Sequence, residues 1–202
     1  MAIAKLRNVQ IIFPKFFESN DNGKFTVGVL IKTDSEAYKE FMKAVAEAWK
    51  AGREKFGQQQ FCPNPTRAQV FNRAYVKEGG GLDSQGRAVP EYYEGCIGFT
   101  CNSKKPVQVI DKRGLPVKDG DASIYDGQLA HVSIDVVPVY QQGNPCVGRY
   151  LRCVMIVGGG ERIDTGSGRD VDARNEFAED IDTSAAPADG NDGFDAFADV
   201  PY

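Results

Sequence analysis

This 202-residue sequence has one histidine and one tryptophan, and it has no apolar run near the roughly 20 residues that a membrane-spanning helix needs. Its five cysteines include no CxxC pair, and its first residues lack the charged-then-apolar pattern of a secretory signal. We therefore expect a cytoplasmic protein that makes no membrane contact and keeps its thiols reduced.

The scarcity of histidine also restricts catalytic chemistry. A Cys/His or Ser/His pair would have to use His131, which lies in a predicted strand, where a structural role is commoner. Cys96 and Cys101 are an odd number of residues apart, so in a strand they face opposite sides and do not readily share a zinc ion. We predict a non-enzyme without metal or cofactor, and a metal-dependent nuclease or recombinase remains the alternative.

Acidic residues are concentrated at the C-terminal end. Of the 24 bases and 28 acids in the chain, residues 170–202 hold one base and ten acids, a formal charge of −9, which leaves +5 on residues 1–169. A basic body with an acidic tail indicates a polyanion partner. We predict a folded domain over residues 1–163 and a disordered linker and acidic tail over residues 164–202. A tail that imitates DNA and binds another protein is a further alternative.

Hydrophobic periodicity predicts a mainly β fold with one conspicuous α-helix. Strands are expected at 6–13, 24–32, 68–77, 96–101, 107–110, 129–140 and 147–157, from alternating or β-branched segments bounded by turn residues. Apolar residues at helical spacing predict one amphipathic helix from about Asp34 to Phe56, with Thr33 and Glu36 as a capping box. Short strands without alternating helices favour an OB-like small β-barrel.

Aromatic and basic side chains alternate in one predicted strand. One face carries Phe71, Arg73, Tyr75 and Lys77, an arrangement in which nucleotide bases can stack on the rings while phosphates pair with the cations. Half-buried rings with solvated lysine and arginine side chains explain the pattern equally well. Two neighbouring turns, 102–106 and 111–114, carry four more bases, which either line a groove or are simply solvated.

Several short motifs resemble those of bacteriophage single-stranded DNA-binding proteins of the OB-fold type. They are the opening strand from Leu6-Arg7-Asn8-Val9 to Phe13-Pro14, its partner Gly23-Lys24-Phe25-Thr26-Val27, the Tyr125-Asp126-Gly127 lead, Val136-Val137-Pro138-Val139-Tyr140, and the acidic, aromatic-ended tail. A generic OB fold carries its helix between the third and fourth strands, whereas this helix follows the second.

The resemblance implies a protein that coats exposed single strands, without sequence preference, during phage replication and recombination. Its tail is expected to compete with DNA and to contact a phage or host polymerase, helicase or primase, and homo-oligomerisation is left open. The expected DNA contacts are Arg73, Tyr75, Lys77, Arg87, Tyr92, Tyr93, Phe99, Lys104, Lys105, Lys112, Arg113, Arg149, Tyr150 and Arg152. The expected partner-binding residues of the tail are Asp192, Phe194, Asp195, Phe197, Asp199 and Tyr202.

Overall fold

The computed structural model describes residues 2–66, 70, 76–78, 88–118 and 124–165. The chain divides into two units, Met1–Ser167 and Gly168–Tyr202. All described residues belong to the first unit, so the predicted acidic tail lies outside them. Within the described residues, no helix is long and apolar enough to cross a membrane.

The described part of the chain contains seven strands, one α-helix and one 3₁₀ turn, Glu91–Tyr93. The helix α1 covers Glu36–Phe56. The strands are β1 (Ala2–Lys15), β2 (Phe25–Lys32), β3 (Val76–Glu78), β4 (Cys96–Ser103), β5 (Gln108–Asp111), β6 (Leu129–Gln141) and β7 (Asn144–Ile156).

Five of these strands close into a barrel. Strand β1 pairs antiparallel with β2 and β6, β2 pairs with β4, and β6 pairs with β7. A parallel contact between Asn102 and Tyr150 joins β4 to β7 and closes the ring. The order around the barrel is therefore β1, β2, β4, β7, β6, with β7 between β4 and β6, as in the Greek-key barrel of an OB fold. This confirms the predicted OB-like barrel, with its helix after the second strand.

The barrel interior is filled by alternate residues of the strands. In β2, Val27, Val29 and Ile31 are buried in the main core, as their spacing predicts. Helix α1 packs mainly against β1 and β6, and its Phe41 ring stacks on Phe99 with centroids 4.4 Å apart. The core therefore lies between the barrel wall and this helix.

The N-cap of α1 differs from the one predicted. The N-cap is Ser35, whose hydroxyl accepts the N–H of Tyr38 at 3.2 Å, whereas the Thr33 hydroxyl donates to the Gly95 carbonyl. Thr33 is thus too early to cap because the chain is still leaving β2 there.

The single tryptophan, Trp49, is buried as expected and donates from its indole N–H to the Cys62 carbonyl at 2.8 Å. None of the five cysteines is part of a disulfide bond.

A second, smaller hydrophobic cluster lies on the outside of the barrel wall. Ile12, Leu30 and Tyr93 are buried together, with Tyr92 and Ile163 packed against them. Because neighbouring residues in β1 and β2 face the main core, these side chains must lie on the opposite face. We call this set the outer cluster.

The strand predicted at 68–77 falls largely outside the described residues. Val70 donates its N–H to the Thr66 carbonyl at 3.1 Å, a helical contact, so the strand does not begin there. The described strand in this region is Val76–Glu78, which pairs with the first half of β4.

Candidate nucleic-acid interface

Four of the expected DNA contacts lie at the point where the barrel closes. Asn102 of β4 is partnered with Tyr150 of β7. Three residues further along β7, Cys153 is partnered with Gln108 of β5 instead. The turn between them carries Lys104 and Lys105, which therefore lie along the same edge of β7 as Arg152. We call Asn102, Lys104, Lys105, Tyr150 and Arg152 the seam surface.

The side chains of the seam surface are open to solvent. The Tyr150 side chain is 44% exposed, and Lys104, Lys105 and Arg152 are also exposed. Arg152 is the extra residue of a β-bulge, since Ser133 and Ile134 of β6 face Cys153 and Leu151. Its guanidinium donates to the Asp135 carboxylate at 2.9 Å, and this contact raises the pKa of Arg152 above its usual value. The seam surface thus combines a flat ring with three cations.

Lys112 and Arg113 lie apart from the seam surface, beyond the far end of β5. Both are exposed, and Arg113 donates to the Asp111 carboxylate at 2.8 Å. The pKa of Asp111 is lowered, chiefly by the backbone N–H of Leu115 and further by Arg113. The charge of Arg113 is therefore partly balanced within its own turn.

Phe99 and Arg149 point into the barrel, which corrects the prediction that they contact DNA. Phe99 is 4% and Arg149 8% exposed, and the guanidinium carbon lies 5.5 Å from the centre of the Phe99 ring. Burial raises the pKa of the neighbouring Cys101 thiol to about 12, against the opposing effect of Arg149. In sequence, Arg149 is one residue from Tyr150, and that single step in a strand turns a side chain from outside to inside.

Tyr93 is also buried, at 7% exposure, so the prediction that its ring stacks on bases is wrong. Its ring covers Gly98 of β4, and burial raises its pKa to about 12. Tyr92 is only partly buried and lies 4.8 Å from Tyr93 between ring centres. Tyr92 is therefore the accessible ring of the pair.

The remaining expected residues are not tested by the structure. Arg73, Tyr75 and Arg87 lie outside the described residues, as do Asp192, Phe194, Asp195, Phe197, Asp199 and Tyr202 of the tail. Lys77 belongs to β3, where it faces Gly98 in register, but its side chain is not described.

The sheet register aligns residues with polar groups from four strands in a row, of which the sequence had indicated only Tyr150. Lys15 of β1 is partnered with Thr26 of β2, Thr26 with Asn102 of β4, and Asn102 with Tyr150 of β7. The inward neighbours of these residues are buried in the core, so all four side chains belong to the outer face. We call Lys15, Thr26, Asn102 and Tyr150 the cross-strand row.

One end of this row carries a further exposed ring. Phe13, two residues before Lys15, is 39% exposed and has a positive φ of 49°. Its sequence signal was the Phe13-Pro14 pair, which reads as part of a strand and does not show that the ring reaches the surface. An exposed ring and a cation therefore lie near each end of the row, Phe13 with Lys15 at one end and Tyr150 with Arg152 at the other.

Comparison with known proteins agrees with this barrel. Residues 3–186 match the model of a family described as Enterobacter phage Enc34, ssDNA-binding protein. The chain belongs to this family. No curated protein matches the sequence.

Solved structures show the same architecture as this Enc34-family chain. The chain is similar to the single-stranded DNA-binding protein from bacteriophage Enc34, with a TM-score of 0.59 and 13% identity over 85% of this chain and 89% of that chain. It is also similar to the structure described as that protein in complex with ssDNA, with a TM-score of 0.58 and 15% identity over 80% of this chain and 89% of that chain. At such identities the likeness shows the fold.

Proposed function

We propose that this protein binds single-stranded DNA without sequence preference and coats exposed strands during phage DNA replication and recombination. The family match and the solved complex of a similar barrel with ssDNA support this proposal. The observation that carries it in this chain is the seam surface, where the exposed ring of Tyr150 lies among Lys104, Lys105 and Arg152. As a protein that acts on phage DNA, it works in the cytoplasm of the host cell.

The seam surface suits single strands because its groups recognise features common to every nucleotide. An aromatic ring stacks on any base, and cations pair with phosphates whatever the sequence. Each stacked base contributes about 1–3 kcal/mol of binding free energy. Because ring stacking and phosphate pairing do not read base edges, we expect affinity rather than sequence discrimination.

The proposed contact set extends beyond the seam surface. Tyr92 supplies a second ring, and Lys112 and Arg113 supply cations in the turn that follows β5. We keep Arg73, Tyr75, Lys77 and Arg87 in the set on their sequence pattern alone. The buried Tyr93, Phe99 and Arg149 shape the barrel wall and leave the set.

The acidic tail is proposed to compete with ssDNA for the basic outer face. Ile163 packs in the outer cluster, and the Thr165 hydroxyl donates to the Asp126 carboxylate. The chain therefore leaves the barrel on its outer side, a few residues before the ten acids begin. A tethered segment has an effective concentration in the millimolar range, so even weak ionic contacts can compete.

When DNA displaces it, the tail is proposed to recruit a phage or host polymerase, helicase or primase. Its rings Phe194, Phe197 and Tyr202 alternate with Asp192, Asp195 and Asp199. Such a segment can place its rings in a partner pocket while its carboxylates meet lysine or arginine.

The test is a fluorescence anisotropy titration of a labelled poly-dT oligonucleotide and a matched duplex at two salt concentrations. Each neutralised phosphate on a single strand contributes about −0.7 to the slope of log affinity against log salt, so the three seam cations alone predict about −2. Binding that ignores salt, or that is equally tight for duplex, would refute the proposal. Incubation of the same DNA with magnesium checks for cleavage, which the nuclease alternative requires.

A further inference from the structure

Phe13 interrupts the regular pattern of β1. Ile12 and Lys15 are partnered with Gly28 and Thr26 of β2, which leaves one extra residue in β1 and forms a β-bulge. Phe13 lies in this bulge with a φ of 49°, a left-handed conformation that is unfavourable for a residue with a side chain. Bulges redirect side chains, and here the result is a phenylalanine ring that is 39% exposed.

A dedicated acceptor holds this unfavourable conformation. The backbone N–H of Phe13 donates to Oδ1 of Asp126 at 2.6 Å. Asp126 is itself fixed from three sides: its carbonyl accepts the N–H of Ile163 at 2.9 Å, its Oδ2 accepts the Thr165 hydroxyl, and the next N–H, of Gly127, donates to Ile11 at 2.8 Å. Hydrogen bonds to a carboxylate are the stronger ones, so the bulge is tightly held.

The bulge also lies beside the second accessible ring. Ile12, next to Phe13, belongs to the outer cluster against which Tyr92 packs. Burial raises the pKa of Tyr92, and the charge of Asp126 raises it further. Phe13 and Tyr92 thus lie in the same region of the outer face.

The cross-strand row connects this region to the seam surface. Lys15, Thr26, Asn102 and Tyr150 are partners on four neighbouring strands, which at 4.7–4.9 Å per strand puts Lys15 and Tyr150 about 15 Å apart along the sheet. Phe13 and Lys15 lie at one end of the row, and Tyr150 and Arg152 at the other. The floor between them consists of small polar side chains.

We propose that Phe13 is a base-stacking residue and that Asp126 is its positioning residue, so that single-stranded DNA crosses the barrel strands from Tyr150 to Phe13. This inference rests on the proposed function and deepens it. It assigns a binding role to a ring outside the expected contact set, and it gives the DNA a direction across the strands. A nucleotide base stacks on each terminal ring while Lys15 and Arg152 meet phosphates.

The test compares Phe13→Ala with Tyr140→Ala, a matched control that removes another exposed ring, 42% exposed, from the part of β6 that pairs only with β7. Loss of one stacked base weakens poly-dT binding by about 5- to 150-fold. We expect this loss for Phe13→Ala and less than a twofold change for Tyr140→Ala.

An abasic oligonucleotide of equal length separates stacking from charge. Without bases there is nothing to stack, so Phe13→Ala and the wild type should bind it equally, with the same dependence on salt. If Phe13→Ala binds poly-dT as tightly as the wild type does, the inference is overturned while the proposed function stands. If the wild type itself does not bind poly-dT, the proposed function fails instead.

The positioning role of Asp126 has its own readout. Asp126→Ala removes a negative charge, which by itself would favour both oligonucleotides, yet we expect weaker binding of poly-dT and no weakening for the abasic strand. Asp126→Asn keeps an oxygen that can accept the Phe13 N–H and should retain most of the affinity. In a Phe13→Ala background, Asp126→Ala should cause no further loss, since the two residues act as one unit. Additive losses, or equally tighter binding of both oligonucleotides, would refute the positioning role.

Discussion

The ring of Tyr93 lies directly on Gly98. A Cβ built at residue 98 would be 2.1 Å from Cε1 of Tyr93 and 2.8 Å from the Leu30 side chain, far closer than atoms can approach. Glycine inside a strand often marks such a close approach. The 3₁₀ turn Glu91–Tyr93 can therefore pack against the outer face of the barrel because residue 98 has no side chain.

Gly98→Ala should consequently destabilise the fold by about 1–3 kcal/mol, because the added methyl group displaces a buried ring. The free energy of unfolding from urea denaturation measures this. Thr100→Ala, on the same strand and face but exposed, is the control and should change stability by less than about 0.5 kcal/mol. In a Tyr93→Ala background the cost of Gly98→Ala should shrink; an equal cost in both backgrounds would show that the ring is not what excludes the methyl group.

The raised pKa of Tyr93 predicts a loss of stability at alkaline pH. The pKa is about 12 in the folded chain and about 10 in the unfolded chain, so the folded state holds this proton more tightly. The contribution is complete below pH 10 and is lost as the pH rises towards 12. Urea denaturation between pH 9 and 12 should show a smaller decline for Tyr93→Phe than for the wild type. Parallel curves would contradict the assignment. Cys101, whose pKa is raised in the same way, contributes a similar decline to both proteins.

The seam cations predict a change in salt dependence. Replacing Lys104, Lys105 or Arg152 by Ala should each weaken poly-dT binding and reduce the magnitude of the salt slope by about 0.7. Lys39→Ala is the control, since Lys39 is exposed on α1 and pairs with Glu36 at 2.6 Å. A slope that falls as much for Lys39→Ala as for the seam variants would place the DNA elsewhere.

The Arg152–Asp135 pair gives a prediction of opposite sign. Asp135→Asn releases Arg152 from its carboxylate partner, so we expect tighter poly-dT binding with a stability change below about 1 kcal/mol, as for most exposed ion pairs. Anisotropy and urea denaturation of the same variant measure both quantities. Weaker binding would mean that Asp135 orients Arg152 towards the phosphate.

Removal of residues 170–202 should tighten DNA binding several-fold at low salt, because a segment of charge −9 no longer competes for the basic face. A full-length triple variant, Phe194→Ala, Phe197→Ala and Tyr202→Ala, keeps every acid and should bind DNA like the wild type while losing its protein partner. Pull-down of replication proteins and anisotropy separate the two effects. Unchanged DNA affinity in the truncated chain would refute competition by the tail.

Patterns local to the chain predicted most of the elements. The Asn-Gly turn before β2 is present, with Gly23 at a φ of 66° and its N–H bonded to the Asn20 carbonyl. Helical spacing placed α1 to within two residues at its start. The strand predicted at 68–77 is wrong at Val70, which is helical. A short alternation of apolar and polar residues does not distinguish a strand from a helical turn that leads into it.

Less of the candidate site could be predicted from the sequence. Alternation along the strand predicted that Tyr150 and Arg152 share a face, and both are exposed, yet Arg149, equally basic and adjacent, lies inside the barrel. The alignment of Lys15 with Thr26 and the exposure of Phe13 could not be predicted from the sequence, since they depend on the register between strands and on one bulge.

The sequence by itself determined the class of the protein: a β-rich basic body with one helix, a strongly acidic C-terminal end, and aromatic and basic residues suited to a polyanion. Periodicity and charge are local properties, so they can be read without coordinates. Only the tertiary structure decided which rings are accessible and which residues lie side by side. Closure of β4 against β7, the bulge at Phe13 and the packing of Tyr93 on Gly98 depend on contacts between residues distant in the chain, and a shift of one residue in register would reverse every one of these faces.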